Sequence, residues 1–208
     1  MFKDFESKIS QCFDCELRKG ATQVVVGSGS KNANVIIVGE APGKTEDQTG
    51  IPFSGKSGQI LTNGLVEVGY DRSNIYITNI IKCRPPSNRT PTVAEMKVCS
   101  KHTETILDAI NPEMVVAVGN TAITYFLGDT KLRPKDVIDT IIVSKERLKR
   151  KKGVTLRYVY CMRHPAYALH SRDPVIREQI EETIRHIPVA LEKVRNIMKS
   201  KNRMKEKE

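Results

Sequence analysis

The chain has no apolar run long enough to cross a bilayer and no signal-peptide-like hydrophobic segment near Met1. Both absences predict a soluble, cytoplasmic protein with no membrane partner. It has no internal repeat and no low-complexity segment either, so its 208 residues read as ordinary globular sequence. Acids are in short supply: 24 Asp and Glu stand against 34 Lys and Arg, for a net charge of +10. An excess of that size favours a polyanionic partner, most often nucleic acid, and a thermophile's charged surface is the plainer explanation for part of it. With 39% hydrophobic and 28% charged residues, the chain has enough apolar material for one well-buried core. Residues 1–199 are expected to form the domain and 200–208 a polar, basic tail.

Short β-branched runs alternate with longer helical stretches. Strands are expected at 34–39, 75–78, 114–118 and 154–161, with 137–143 as a hairpin partner to the last, and helices at 57–68, 92–110, 120–127 and 175–199. Thr92 and Glu95 stand three apart, the spacing of a capping box. The alternation predicts an α/β fold, a single-domain α/β/α sandwich around a mostly parallel sheet of about four strands. Such sheets bind ligands beyond the carboxyl ends of their strands. The residues there are Gly39 to Gly43, Thr78-Asn79, Gly119-Asn120 and Met162-Arg163-His164-Pro165, a set able to converge on one small planar ligand.

Gly50 to Ser57 fits the phosphate-binding pattern G-x-x-x-x-G-K-S letter for letter. That motif needs a strand delivering its glycines to a helix N-terminus. The residues before Gly50 are polar and include two acids, and no later strand ends in an acid to help hold Mg²⁺. A nucleotide hydrolase therefore stays as a rival that explains this segment alone.

Cys12 and Cys15 form a C-x-x-C, and Cys83 and Cys99 flank a segment rich in Pro. In a reducing compartment such a set binds metal rather than forming disulfides, and spacing alone leaves Zn²⁺ and a 4Fe–4S cluster open. Cys161 follows an apolar run and reads as a core residue. Lys145 to Lys152, "KERLKRKK", reads as a basic hairpin loop, for which Lys149, Arg150, Lys151 and Lys152 on DNA phosphates and simple solvation are the two readings.

Taken together, "GEAPGKTED", "PFSGKSGQIL", "TNIIKCRPPSNRTPTVAEMKVC", "VAVGNTA" and "HPAY" occur in the order and spacing of the family-four uracil-DNA glycosylases, which the chain resembles from about Cys12 to His170. A related family that bonds covalently to DNA has Gln where Ala41 stands, with an extra basic loop carrying a reactive His; this chain shows neither. The resemblance implies a monofunctional DNA-repair hydrolase that excises uracil and leaves an abasic site. It also implies a 4Fe–4S cluster on Cys12, Cys15, Cys83 and Cys99. Uracil-containing DNA, single- or double-stranded, would be the substrate and free uracil the product. The protein is expected to be a monomer, with the tail as the place for a sliding clamp or polymerase partner to dock. The alternative to the enzyme is an iron–sulfur nucleic-acid-binding module without chemistry.

Within that reading, Asn79 accepts from uracil N3–H and donates to O4, opposite to what cytosine offers. Phe53 stacks on the flipped base. Gly39, Glu40 and Ala41 open the loop that contacts uracil and crowds its C5 position, and Ala41 stands where the best-known uracil glycosylases place an Asp. That leaves Glu40, Glu46 and Asp47 as acids in reach of a water, with Glu40 and Asp47 carried forward beside His164 as catalytic candidates. A neutral His164 donates to uracil O2 as negative charge builds there. Lys56, Ser57 and Arg172 would contact DNA, and Tyr167 or Leu169 would wedge into the vacated stack.

Overall fold

The apolar runs enter one sheet because each is hydrophobic on both faces and demands cover on both. The computed structural model describes residues 5–128, 130–145 and 156–205, so the basic loop of Lys149 to Lys152 lies outside the described residues. The described chain begins with helices α1 (Phe5–Ser10) and α2 (Leu17–Gly20), then a two-residue strand β1 (Ser28–Gly29). Strand β2 (Val35–Gly39) leads to helices α3 (Lys44–Thr49) and α4 (Lys56–Glu67), and β3 (Ile75–Asn79) to the long helix α5 (Val93–Ile110). After β4 (Met114–Val118) come α6 (Asn120–Leu127), then β5 (Thr140–Lys145) and β6 (Leu156–Met162). Helices α7 (Ala166–His170), α8 (Pro174–Arg185) and α9 (Ile187–Lys205) close the chain.

Among the described residues the sheet has six strands in the order β1-β3-β2-β4-β6-β5. Strands β3, β2, β4 and β6 are the parallel core, while β1 and β5 pair antiparallel at the edges. The expected four-strand sheet is thus corrected to six: β5 is the expected hairpin partner of β6, and β1 is too short for any periodicity to reveal it. Alternation sorts the core into two layers. Ile36, Val38, Val115, Ala117, Val159 and Cys161 face one cluster, and Val35, Ile37, Met114, Val116, Tyr158 and Tyr160 the other. Cys161 is fully buried, as a core residue should be.

Helix α5 starts where the capping box placed it: Thr92 Oγ1 accepts from the Glu95 amide at 3.2 Å, and the Thr92 amide donates to Glu95 Oε2 at 2.7 Å. The single helix expected over 175–199 is instead α8 and α9, broken at His186, with Pro188 in the first turn of α9 where its missing N–H costs nothing. Helix α9 also continues to Lys205. No helix among the described residues is long and apolar enough to cross a membrane.

Candidate active site

The strand ends β2, β3 and β4, together with the turn after β6, surround a cleft of about 670 Å³. That is the size of a small-ligand site. Its floor depends on two glycines. A Cβ on Gly39 would lie 2.4 Å from Asn79 Oδ1 and 2.6 Å from Phe53 Cζ, so only glycine lets both side chains reach the same place. Gly119 has φ of 86°, and a Cβ there would stand 2.9 Å from His164 Cβ.

Asn79 ends β3 and is 3% exposed; among the described residues its carboxamide has no hydrogen-bond partner, which leaves both its donor and its acceptor for a ligand. Phe53 sits at φ of 53° in the turn before α4 and is largely buried, packed into the core on one side and lining the cleft on another. Its ring stacks on His164, with centroids 6.0 Å apart and planes 25° from parallel. His164 Nδ1 accepts a hydrogen bond from the Ala166 amide at 3.1 Å. An accepting Nδ1 carries no proton, so the neutral ring carries it on Nε2 as a donor. Burial lowers the His164 pKa below the ordinary imidazole value, with the charge of Glu46 acting the other way.

The three acids of the loop after β2 have three different positions. Glu40 lines the cleft, and its carboxylate accepts from the Thr121 hydroxyl. Glu46 spans two turns, accepting from the Gly43 amide at 3.1 Å and the Gly55 amide at 2.8 Å. Asp47 is buried outside the cleft lining, where it accepts from the Thr22 amide at 3.0 Å and the Thr22 hydroxyl at 2.7 Å. The expectation of a catalytic Asp47 is corrected accordingly: its oxygens are engaged by a segment that precedes β1. The same geometry disposes of the phosphate-loop match. Gly50 is preceded by helix α3 rather than a strand, and the Gly55 amide at the start of α4 already holds a carboxylate.

Glu40 and Ala41 line the cleft, with Ala41 half-buried against the core, while Gly39 lies against Asn79 and Phe53 rather than in the lining. Ser57 and Tyr167 line it too, whereas Lys56, Leu169 and Arg172 are exposed outside the lining. Sequence reasoning missed Asn88, Arg89 and Thr121, which also line it, as do Glu46 and His170. Asn88 arrives through two successive left-handed residues, Ser87 at φ 53° and Asn88 at φ 55°. Arg84 Nε donates to Asn88 Oδ1 at 2.7 Å, and Arg89 forks onto Glu95 at 2.6 and 2.9 Å. The signal for that turn was present in "PPSN", since Asn tolerates this backbone region.

A second, narrower cleft is lined by Cys12, Cys15, Cys83 and Cys99, with Leu17, Val24, Ile81 and Val98 as apolar walls. Four soft donors in an apolar setting fit a tetrathiolate metal centre. Burial pushes the Cys83 thiol up to about 12 and the Cys12 thiol up to about 11, so thiolates there need a cation to be stable. Cys12 Sγ donates to Asp14 at 2.9 Å and lies 3.0 Å from His102 Nε2.

A base-sized polar cleft at the carboxyl ends of a parallel sheet, with an amide and an imidazole donor on its wall, defines an α/β enzyme acting on a small planar group. Residues 26–187 match the family model described as the Uracil DNA glycosylase superfamily. A type-4 uracil-DNA glycosylase from Thermotoga maritima is 36% identical over 177 residues, 85% of this chain and 88% of that one. Another from Archaeoglobus fulgidus is 36% identical over 186 residues, covering 88% and 90%. A third, from Sulfurisphaera tokodaii, is 34% identical over 191 residues, covering 88% and 81%. The chain belongs to the type-4 uracil-DNA glycosylases of that superfamily.

Proposed function

We propose that this uracil-DNA glycosylase hydrolyses the bond between uracil N1 and the deoxyribose in DNA by stabilising the departing base rather than by strong base catalysis. The observation that carries this reading is the His164 tautomer: a half-buried neutral ring with its proton on Nε2 is a donor already oriented before charge develops. As the bond breaks, electrons move onto the base and negative charge builds at O2, while the sugar becomes cation-like. His164 donates to O2 and keeps its proton. Asn79 reads N3–H and O4, and Phe53 gives the base an aromatic wall.

Of the three acids, Glu40 is the one left to orient the water. Glu46 is engaged by two amides and Asp47 by Thr22. The water adds to the sugar C1′ and its proton leaves toward Glu40 and on to solvent, while the released uracil anion takes up a proton from solvent, giving free uracil and an abasic site. Arg89 at the cleft mouth and Tyr167 and Leu169 on α7 are placed to meet DNA, the first on a phosphate and the others at the gap left by the flipped base. Lys56, Ser57 and Arg172 remain candidates for backbone contact.

Cys12, Cys15, Cys83 and Cys99 would hold a 4Fe–4S cluster. Its contribution when bound is a covalent staple between the N-terminal segment and the Pro-rich stretch that forms one lip of the cleft. Monomeric action, and a clamp or polymerase docking on the tail, belong to the same reading.

The test is direct. Single- and double-stranded oligonucleotides bearing one uracil are incubated with the protein and treated with alkali. Scission at the uracil is expected, and binding of both substrates with no scission would leave only the non-catalytic module.

A further inference from the structure

Lys82 is a lysine with almost no access to solvent, at 1% exposure, between Asn79 of the cleft and Cys83 of the cysteine site. Its Nζ donates to Thr78 Oγ1 at 3.1 Å, to Thr103 Oγ1 at 3.2 Å and to the backbone carbonyl of Asn79. Neither threonine can act as the donor in these pairs. The Thr78 hydroxyl gives its proton to the Val26 carbonyl at 2.6 Å, and the Thr103 hydroxyl gives its own to the Ile80 carbonyl at 3.2 Å. A carbonyl has no proton to give. Three obligate acceptors require three N–H donors, which an ammonium has and an amine lacks. That set of acceptors fits an ammonium better than a neutral amine, although burial disfavours the charge, and all three acceptors are uncharged oxygens.

A buried charge is costly, and the carboxylate of Glu104 nearby offsets only part of that cost. Lys82 also lines the cysteine cleft beside Cys83 and Cys99. Four thiolates outweigh the positive charge of a zinc ion or of an iron–sulfur core, so a loaded site is net negative and needs a cation nearby. Lys82 is the fully buried cation of that wall. We propose that the Lys82 ammonium is a positioning group shared by both sites, supplying counter-charge to the thiolate-bound metal and holding the Asn79 peptide where its carboxamide meets the base. The second half rests on the glycosylase reading; the first does not.

The test uses the metal-loaded protein and four variants. Lys82→Met keeps the volume and removes the charge. Its saturated single-turnover rate on uracil DNA is expected to fall roughly 10- to 100-fold, with affinity for an abasic duplex within about twofold of the parent. Iron loss to a chelator, followed by visible absorption, is expected to run roughly tenfold faster. Placed in an Asn79→Asp background, Lys82→Met is expected to cost only a few-fold more, because both changes act on one residue. Thr103→Val, which removes one acceptor, is expected to move rate and iron retention a few-fold in the same directions, and Thr103→Ser to restore both.

A soluble Lys82→Met with parental rate overturns the link to Asn79, as does full additivity with Asn79→Asp. Parental iron retention overturns the counter-charge. If Lys82→Met does not fold, the Thr103→Val and Thr103→Ser pair decides, and identical behaviour of the two overturns the proposal. A parent protein inert on uracil DNA would instead sink the glycosylase reading, and iron retention would still judge the counter-charge.

Discussion

Asn79 and Cys83 are four residues apart in one stretch of chain, yet they belong to regions built on opposite rules. The cleft gathers single residues from the ends of four strands, leaves the Asn79 carboxamide and the His164 Nε2–H for a ligand, and relies on Gly39 and Gly119 for the space to do so. The cysteine site gathers four like side chains, walls them with Leu17, Val24, Ile81 and Val98, and leaves two of them buried. The cleft is therefore costly in interactions not made until substrate arrives, and its substitutions should change rate more than stability. The cysteine site would contribute order through a metal held by its four thiolates, and its substitutions should change stability first.

The largest effect expected is at the cysteine site. Cys83→Ala should abolish bound iron and the soluble fold together, seen as loss of brown colour and of soluble yield. A colourless, stable and fully active variant would erase the distinction between the two regions.

Next is Asn79→Asp, which sets a carboxylate against uracil O4. Uracil excision should fall by roughly two to three orders of magnitude with little change in melting temperature. A rate within a few-fold of the parent would remove Asn79 from the base contact.

For His164→Ala the saturated single-turnover rate should drop roughly 100-fold while binding to an abasic duplex stays nearly constant, since the lost interaction grows only with charge on the leaving base. An equal loss in binding would make His164 a docking residue.

Asp47→Ala should show the opposite behaviour although Asp47 neighbours Glu46 in the chain. Removing the partner of the Thr22 amide and hydroxyl should cost about 1–3 kcal/mol in unfolding experiments and leave the saturated rate within a few-fold. A larger kinetic than thermodynamic effect would return Asp47 to the chemistry.

The smallest effect concerns pH. The folded pKa of His164 lies below its unfolded value of about 6.5, so the ring stays neutral as pH falls through that value. The saturated rate should stay flat to below pH 6.5 and decline only when the ring takes a proton. The unfolded chain binds that proton first, so stability from this group is complete above about pH 6.5 and is lost as pH falls toward the folded pKa. A rate that already halves at pH 6.5, with no such decline in His164→Ala, would show that burial does not depress this group.

Local pattern was enough for the four parallel strands, because a strand covered on both faces must be mostly apolar, as 35–38, 75–77, 114–118 and 158–162 are. It was enough for the start of α5, whose capping box is a contact three residues long, and for the cleft's location, which follows from where parallel strands end. Asn79 and His164 were legible as polar residues at those ends, Phe53 as an aromatic in a loop rich in Gly and Pro, and the four cysteines as a metal-type set.

Tertiary structure alone decided how each of the three acids is engaged. Asp47 is held by Thr22, 25 residues away, and Glu46 by the Gly55 amide across a turn, and neither partner leaves a periodic trace in sequence. It also decided the His164 tautomer through the Ala166 amide, the entry of Asn88 and Arg89 through two left-handed residues, and the burial of Lys82 among three acceptors. Periodicity reports which face of an element is buried. It carries no record of which distant donor meets which acceptor, and on that pairing the protonation and orientation of every group in this cleft depend.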